Sequence, residues 1–376
     1  RDKVEDKQVV LFHAASTGEF EQLKPILKKV DRSKYFILLT FFSPTIFSIE
    51  KETNLADAVC YHPFDFYWSA KLFFKKFNIK KYIITRNDIW PTHLFVAQSL
   101  GIKTILINAN LYQKKQYNSW FMKLILKQIY GQFNLILTGS QRLKNNLLNI
   151  VPPNNIQITG DSRLDQVIEL KSTNNSNLLP DCFKSSLGII LGSIIPSDYP
   201  AIFGGIAKLY LKGDQSIKER KHRLIIVPHE LNLSEFKKIE NYLTKIGITW
   251  SYYSENYQLE NSQVVIIDKM GILANLYKYS GLAYIGAGFG AGVHSVLEPA
   301  IYNNMVCFGP NHQIVDMAVS MVEENLATII KNAEDFYQFI NLYDNSDTLK
   351  LARENMAGFI ADQKLASENI INVIFN

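Results

Sequence analysis

No two cysteines in this sequence stand close enough to share a metal ion or close a local disulfide. There are three, Cys60, Cys182 and Cys307, with no C-x-x-C pair and no histidine at metal-ligand spacing. They read as buried thiols of a reducing compartment, and structural zinc is not expected. Long apolar runs are missing as well. None reaches the roughly 20 residues needed to cross a bilayer, and the longest candidates are broken by Lys or Asn. The chain opens on Arg1 and not on Met, so an anchor ahead of it stays open. A strong charge of either sign is also lacking. The net charge of +5 is too small to argue for a nucleic-acid partner, but it suits an anionic substrate or an acidic membrane surface. With 47% hydrophobic and 20% charged residues, the composition is that of a folded globular protein and excludes the disordered class.

What is present is enough chain, 376 residues, for two ordinary domains. In the first half, short β-rich runs at Val9–Ala14, Tyr35–Thr40, Ala58–Tyr61, Lys81–Thr85, Lys103–Ile107 and Leu135–Thr138 read as strands. They alternate with helical segments at Phe20–Val30, Trp68–Phe77, Thr92–Leu100 and Ser119–Tyr130. Apolar strands separated by helix-length segments predict a parallel sheet covered on both faces. The pattern repeats with strands at Ile189–Leu191, Arg223–Val227, Gln263–Ile267, Leu282–Ile285 and Met305–Phe308. Lys171–Pro180, rich in Asn and Ser and closed by Pro, is the best linker. The division is therefore a Rossmann-like domain over 1–170, a linker over 171–185 and a second such domain over 186–355. Residues 356–376 form a terminal helix that packs back on the first domain. The fold class is α/β, two doubly wound parallel-sheet domains facing across a cleft. In such folds ligands meet the carboxyl ends of the strands.

Chemistry is therefore sought just after strands. His13-Ala14-Ala15-Ser16-Thr17-Gly18-Glu19 follows the first strand. Ser16 and Glu19 have the spacing of a capping box. Glu19 at the cleft edge is also a candidate general base, although a helix N-terminus favours its charged form and keeps its proton affinity low. After the fourth strand comes Thr85-Arg86-Asn87-Asp88-Ile89-Trp90-Pro91. Spacing there makes Asp88 the cap of the helix that Pro91 begins, with a second active carboxylate as the functional alternative.

In the second half, Gly286-Ala287-Gly288-Phe289-Gly290-Ala291-Gly292 follows a strand and precedes a helix, as a phosphate cradle does. A nicotinamide fingerprint would need an acid ending the next strand. Gly309-Pro310 stands there instead, so a dehydrogenase is disfavoured. Glu298 is better placed for ribose hydroxyls. Gly192-Ser193, Pro228-His229-Glu230 and Asp268-Lys269-Met270-Gly271 also follow strands. His62, His222 and His312 read as surface or packing residues. No Asp-x-Asp pair sits beside a strand end, so no metal site of that kind is expected.

Together these segments resemble the 3-deoxy-D-manno-octulosonic acid (Kdo) transferases, glycosyltransferases of the GT-B type. His13 to Glu19 matches the family's H-x-x-S-x-G-E, and Tyr61-His62-Pro63-Phe64-Asp65 resembles Y-x-P-x-D. Ile89-Trp90-Pro91 matches the end of E-T-E-[IL]-W-P, and Asn108-Ala109-Asn110-Leu111 resembles N-A-R-[LM]. Thr159 to Asp165 resembles T-G-[DN]-x-[RK]-x-D. Met270-Gly271 with Leu276-Tyr277, and His294 to Ala300, match M-G-x-L-x-x-x-Y and H-N-x-L-E-P-A. The pattern is departed from at Arg86-Asn87-Asp88, which stands for E-T-E. It is departed from again at Pro228-His229 for P-R-H, at Ser295 for Asn, and at Ile46 for the glycine of a Ser-Pro-Ser-Gly turn.

The resemblance implies an inverting, metal-independent transfer of Kdo from CMP-Kdo to the lipid A precursor, with no cofactor. Glu19 would be the base, with Asp88 beside it. Ser193, Pro228, His229, Met270, Gly271, Ile272, Gly288, Gly290, Ser295, Val296, Leu297 and Glu298 would bind the donor, with Glu298 on the ribose. It also implies work at the cytoplasmic face of the inner membrane, by peripheral attachment or an N-terminal anchor. Lys28, Lys29, Arg32, Lys34, Lys71, Lys75, Lys76, Lys80 and Lys81, with Phe73, Phe74 and Phe77, give the first domain a basic and aromatic character suited to such a surface. Two other readings compete. One is a GT-B enzyme that uses a UDP-sugar on a lipid or cell-wall precursor, and the other is a catalytically weakened nucleotide-binding relative.

Overall fold

The computed structural model describes residues 7–112, 119–173, 177–255, 259–363 and 365–375. The chain divides into two compact units, residues 1–166 with 364–376, and residues 167–363. The middle of the expected linker, residues 174–176, lies outside the described residues, while Lys171–Thr173 continue the helix Ser162–Thr173.

The first unit holds a seven-stranded sheet of β1 (Gln8–Ala14), β2 (Tyr35–Phe41), β3 (Ala58–Tyr61), β4 (Ile79–Thr85), β5 (Lys103–Ala109), β6 (Leu135–Thr138) and β7 (Ile156–Ile158). Their spatial order is β3-β2-β1-β4-β5-β6-β7, and every pairing is parallel. Buried side chains alternate between the two faces. Val9, Leu11, Tyr82 and Leu106 join one apolar cluster, and Val10, Phe12, Ile83 and Ile105 join the other. Helix Ala366–Phe375 completes the second cluster through Ala366, Ile370 and Ile374. Asp165 anchors that helix by accepting the backbone N–H groups of Ala366 and Ser367, each at 2.9 Å. In the same way, Asn108 and Ser162 exchange hydrogen bonds of 2.7 and 3.2 Å. Two of the quoted motifs thus serve to fasten the scaffold.

The second unit repeats the plan with β8 (Leu187–Ile194), β9 (His222–Pro228), β10 (Ser251–Tyr252), β11 (Val264–Ile266), β12 (Leu282–Ile285), β13 (Met305–Phe308) and β14 (Ala327–Ile329). The order is β10-β11-β9-β8-β12-β13-β14, again all parallel. Clusters around Leu191, Ile226 and Tyr284 and around Ile190, Ile225 and Ala283 cover its two faces.

In each sheet the winding reverses once, between β1 and β4 and between β8 and β12. Chains diverge there at the carboxyl edge and leave a crevice. Non-glycine residues take left-handed backbone at these points: Arg86 (φ 65°) just past β4, Ser193 (φ 57°) in β8 and Ala287 (φ 69°) past β12. Such conformations persist only where neighbours impose them, and they concentrate at functional sites.

Some side chains lie elsewhere than the sequence suggested. Of the cysteines, only Cys307 is buried, while Cys60 and Cys182 are half-buried, and all three are free. Of the two roles read for His62, His222 and His312, surface or packing, all three take the packing one, being buried. Phe74 is buried in the core and Phe73 and Phe77 pack against it, so they are not surface aromatics. Exposed near Lys71, Lys75 and Lys76 are Tyr67, Trp68 and Leu72 of helix Tyr67–Lys76 and Phe66 just before it. Helix Trp120–Tyr130 likewise exposes Trp120, Phe121 and Leu124. Among the described residues, no helix is long and apolar enough to cross a membrane.

Candidate active site

β1 delivers His13 and the turn Ala15-Ser16 to the crevice of the first unit, and Thr17–Leu27 begins a helix there. Ser16 caps it, accepting the Glu19 N–H at 3.4 Å. In a capping box the third-position acid reaches back to the cap residue's N–H. Here Glu19 Oε2 reaches one residue further and accepts the Ala15 N–H at 2.7 Å. The cap and the crevice carboxylate are therefore the same group.

Burial raises the proton affinity of Glu19 above that of an ordinary glutamate, and the nearby Asp88 charge adds to this. The Ala15 N–H, His13 and Arg86 oppose it without reversing it. This corrects the expectation that the helix N-terminus keeps Glu19 a weak base. Desolvation outweighs the local donors.

Asp88 does not cap the helix Pro91–Ser99. Asp65 does so, accepting the N–H groups of Thr92 and His93 at 3.4 and 3.1 Å. The backbone of Asn87 and Asp88 turns before Trp90, and this leaves the Asp88 carboxylate free of the helix end. Its Oδ2 accepts the Trp90 indole N–H at 2.8 Å and meets His13 Nε2 at 2.7 Å. Burial works against the Asp88 charge, but the hydrogen bonds from His13 and Trp90 hold its carboxyl below the usual range. Behind His13 lies a buried chain. Thr40 Oγ1 is 3.0 Å from His13 Nδ1 and 3.0 Å from His62 Nδ1. His62 Nε2 is 2.7 Å from His93 Nδ1.

In the second unit the crevice collects residues from β8, β9 and the loop after β12. Ser193 Oγ lies 3.0 Å from Nδ1 of the exposed His229, whose N–H donates to the Ile194 carbonyl at 3.0 Å. The His229 ring stacks on His294 at 4.7 Å. Pro228 ends β9 and is buried. Ser295 Oγ is buried with no hydrogen-bond partner among the described residues. Glu298 stands in the first turn of the five-residue helix Leu297–Ile301. It lies near enough to Tyr277 that, after burial, its charge raises that phenol further.

The glycine-rich loop is tied inward. Asp198, fully buried, accepts the N–H groups of Ile195 and Ala287 at 2.9 Å, the Tyr284 hydroxyl at 3.0 Å and the Phe289 N–H at 3.5 Å. Two of the expected phosphate donors are thereby committed to a carboxylate. A Cβ on Gly286 would strike the Ser193 carbonyl and one on Gly288 the Gly309 backbone, so close packing of neighbouring strand ends accounts for these glycines. Gly290 faces Ile195 and Ser197. Val296, Leu297 and Ile272 are buried and belong to the packing beneath the site. Gly271 supplies a left-handed turn (φ 81°) after the exposed Met270. Among the described residues, no group of three His, Cys, Asp or Glu is arranged to hold a metal ion.

Residues 1–166 match the family model described as 3-deoxy-D-manno-octulosonic-acid transferase (kdotransferase). Over these residues the chain is similar to that family. The likeness to Kdo transferases extends over most of the chain. The 3-deoxy-D-manno-octulosonic acid transferase of Chlamydia muridarum is 28% identical over 86% of this chain and 77% of its own length. A bifunctional glycosyltransferase/methyltransferase of Fusobacterium nucleatum is 23% identical over 99% of this chain, but only 58% of its own length is spanned. Among solved structures, the UDP-GlcNAc 2-epimerase of Neisseria meningitidis bound to UDP-GlcNAc aligns with 98% of this chain and 99% of its own, at a TM-score of 0.64 and 14% identity. At that identity the likeness bears on fold alone. The fold is that of the GT-B glycosyltransferases and their epimerase relatives, as the sequence indicated.

Measured against the Kdo transferase pattern, sequence reasoning placed Glu19 and Asp88 together and missed what holds them. His13, Thr40, His62 and His93 act through contacts 22 to 75 residues apart in the chain. Asp198 was also missed. Its signal was an acid followed by Tyr-Pro at a helix start, which reads as a cap, yet its side chain makes no cap hydrogen bond.

Proposed function

We propose that this protein transfers Kdo from CMP-Kdo to the lipid A precursor lipid IVA, as an inverting, metal-independent glycosyltransferase of lipopolysaccharide synthesis. The observation that carries this reading is Glu19. It is a carboxylate of raised proton affinity at the switch point of a domain that matches the Kdo transferase family model. Its Oε atom takes the proton of an acceptor hydroxyl. The hydroxyl oxygen then bonds to the anomeric carbon of Kdo, and the bond from that carbon to the CMP phosphate oxygen breaks, its electron pair leaving with CMP. Attack opposite the leaving group inverts the centre. General-base assistance of this kind contributes about 10²- to 10⁴-fold.

On the donor side, His229 and the Ser295 hydroxyl are suited to phosphate oxygens and Glu298 to ribose hydroxyls. Ser193, Pro228, Met270, Gly271, Ile272, Gly288, Gly290, Val296 and Leu297 would shape the rest of that pocket. The exposed aromatic and basic helices of the first unit support work at an anionic membrane surface, the cytoplasmic face of the inner membrane. Titration calorimetry with CMP and UDP tests the donor. CMP binds at least tenfold more tightly if the reading holds, and a preference for UDP overturns it.

A further inference from the structure

The hydrogen-bond chain behind Asp88 ends on groups that can only accept, and their polarity decides where its protons lie. At the far end, His93 Nε2 is 3.3 Å from the Phe64 carbonyl, so this nitrogen carries a proton. In a neutral ring His93 Nδ1 is then bare, and His62 Nε2, at 2.7 Å, must donate to it. His62 Nδ1 is bare in turn and accepts from the Thr40 hydroxyl at 3.0 Å. The Phe12 carbonyl, 3.3 Å from Thr40 Oγ1, also asks for that hydroxyl proton. Whichever of the two receives it, Thr40 Oγ1 can only accept from His13 Nδ1 at 3.0 Å. The near end agrees independently, because His13 Nδ1 also lies 3.2 Å from the Thr40 carbonyl. His13 Nδ1 therefore bears a proton, while Nε2 faces the Asp88 carboxylate, which already accepts from Trp90.

We propose that His13 is a positioning residue held as the two-proton imidazolium, which clamps Asp88 in its ionised form and so leaves Glu19 as the proton-accepting carboxylate of the pair. Two carboxylates that feel each other's charge otherwise compete for a proton, and neither is a defined base. The imidazolium assigns that proton to Glu19. Other charges around the pair are compatible. Arg86 acts on Glu19, burial and the His13 charge keep His62 neutral, and burial does the same for His93 against the opposing Asp65. Tyr82, 3.0 Å from His62 Nε2, stays protonated through burial. The stacking of His13 on His62 at 3.8 Å is then a cation on a neutral ring.

The inference rests on the reading of Glu19 as base, but its main test does not need activity. Long-range 1H–15N NMR of the histidine-labelled full chain at pH 7, assigned with His13→Gln, should show both His13 nitrogens protonated. His62 and His93 should each show one bare nitrogen. Asp88→Asn, which removes the partner charge, should return His13 to a one-proton ring. A bare nitrogen on His13 in the wild type overturns the proposal, and so does an unchanged imidazolium in Asp88→Asn. In kinetics, His13→Gln should lower kcat with little change in KM and move the acid limb of the pH–rate profile to higher pH by about one unit. An unmoved acid limb contradicts the role. If the NMR signature is present and no Kdo transfer occurs, the activity reading fails and the imidazolium clamp stands.

Discussion

Glu19 Oε2 accepts the Ala15 N–H at 2.7 Å, so one carboxylate both closes the first turn of a helix and faces the crevice at the end of β1. Glutamine can accept the same N–H through its amide oxygen but cannot take a proton. Glu19→Gln should therefore lower kcat by about 10²- to 10⁴-fold while the helix start is kept. The sign of the stability effect also follows. The folded-state proton affinity of Glu19 is raised, chiefly by burial, so ionisation costs the folded state stability, and that cost grows as pH rises through its folded pKa. At neutral pH the variant should melt no lower than the wild type. Calorimetric melting alongside steady-state kinetics checks both, and a fall in both Tm and kcat would assign Glu19 a purely structural part.

Asp88 runs the other way. Its carboxyl is held low against burial, chiefly by the His13 and Trp90 hydrogen bonds. The stability it contributes is present at neutral pH and is lost as pH falls through its depressed folded pKa. Asp88→Asn should therefore lose stability near neutrality, and the gap to the wild type should close in acid. Urea midpoints measured from pH 7 downwards read this directly.

Asp65 caps the helix Pro91–Ser99 in place of Asp88. Replacing a capping acid by alanine costs roughly 1 kcal/mol, so Asp65→Ala should lower the unfolding free energy by about that amount. Chemical denaturation of the variant gives the value.

Asp198 gathers four donors from three segments of the second unit. Asp198→Ala leaves buried N–H groups without a partner, at about 1–3 kcal/mol each. The second unit should then unfold early, and CMP binding should fall more than tenfold. Asp198→Asn, which still accepts but with less charge, should lie between. Differential scanning calorimetry with and without CMP separates the two effects.

Much of this was legible in the residues. The strands Leu135–Thr138, Leu282–Ile285 and Met305–Phe308 stand where their apolar runs end, because buried parallel strands are continuous hydrophobic segments. The strands that escaped notice, β7, β10 and β14, have two or three residues each and lie at sheet edges, too short for any period to register. Spacing pointed to Asp88 as the cap, since a residue 27 positions upstream such as Asp65 gives no local sign that the fold returns it to that helix. The glycine-rich loop looked like a phosphate cradle because sequence shows where backbone can come close, and not what comes close to it. Here that is Ser193 and Gly309.

Kdo transfer itself can be read in a single assay. Wild-type protein incubated with lipid IVA and CMP-Kdo generated in situ should yield, by mass spectrometry, lipid carrying added Kdo and released CMP, without added metal beyond what generates the donor, and Glu19→Gln should yield next to none. Failure of the wild type to modify lipid IVA, or its use of a UDP-sugar in place of CMP-Kdo, would contradict it.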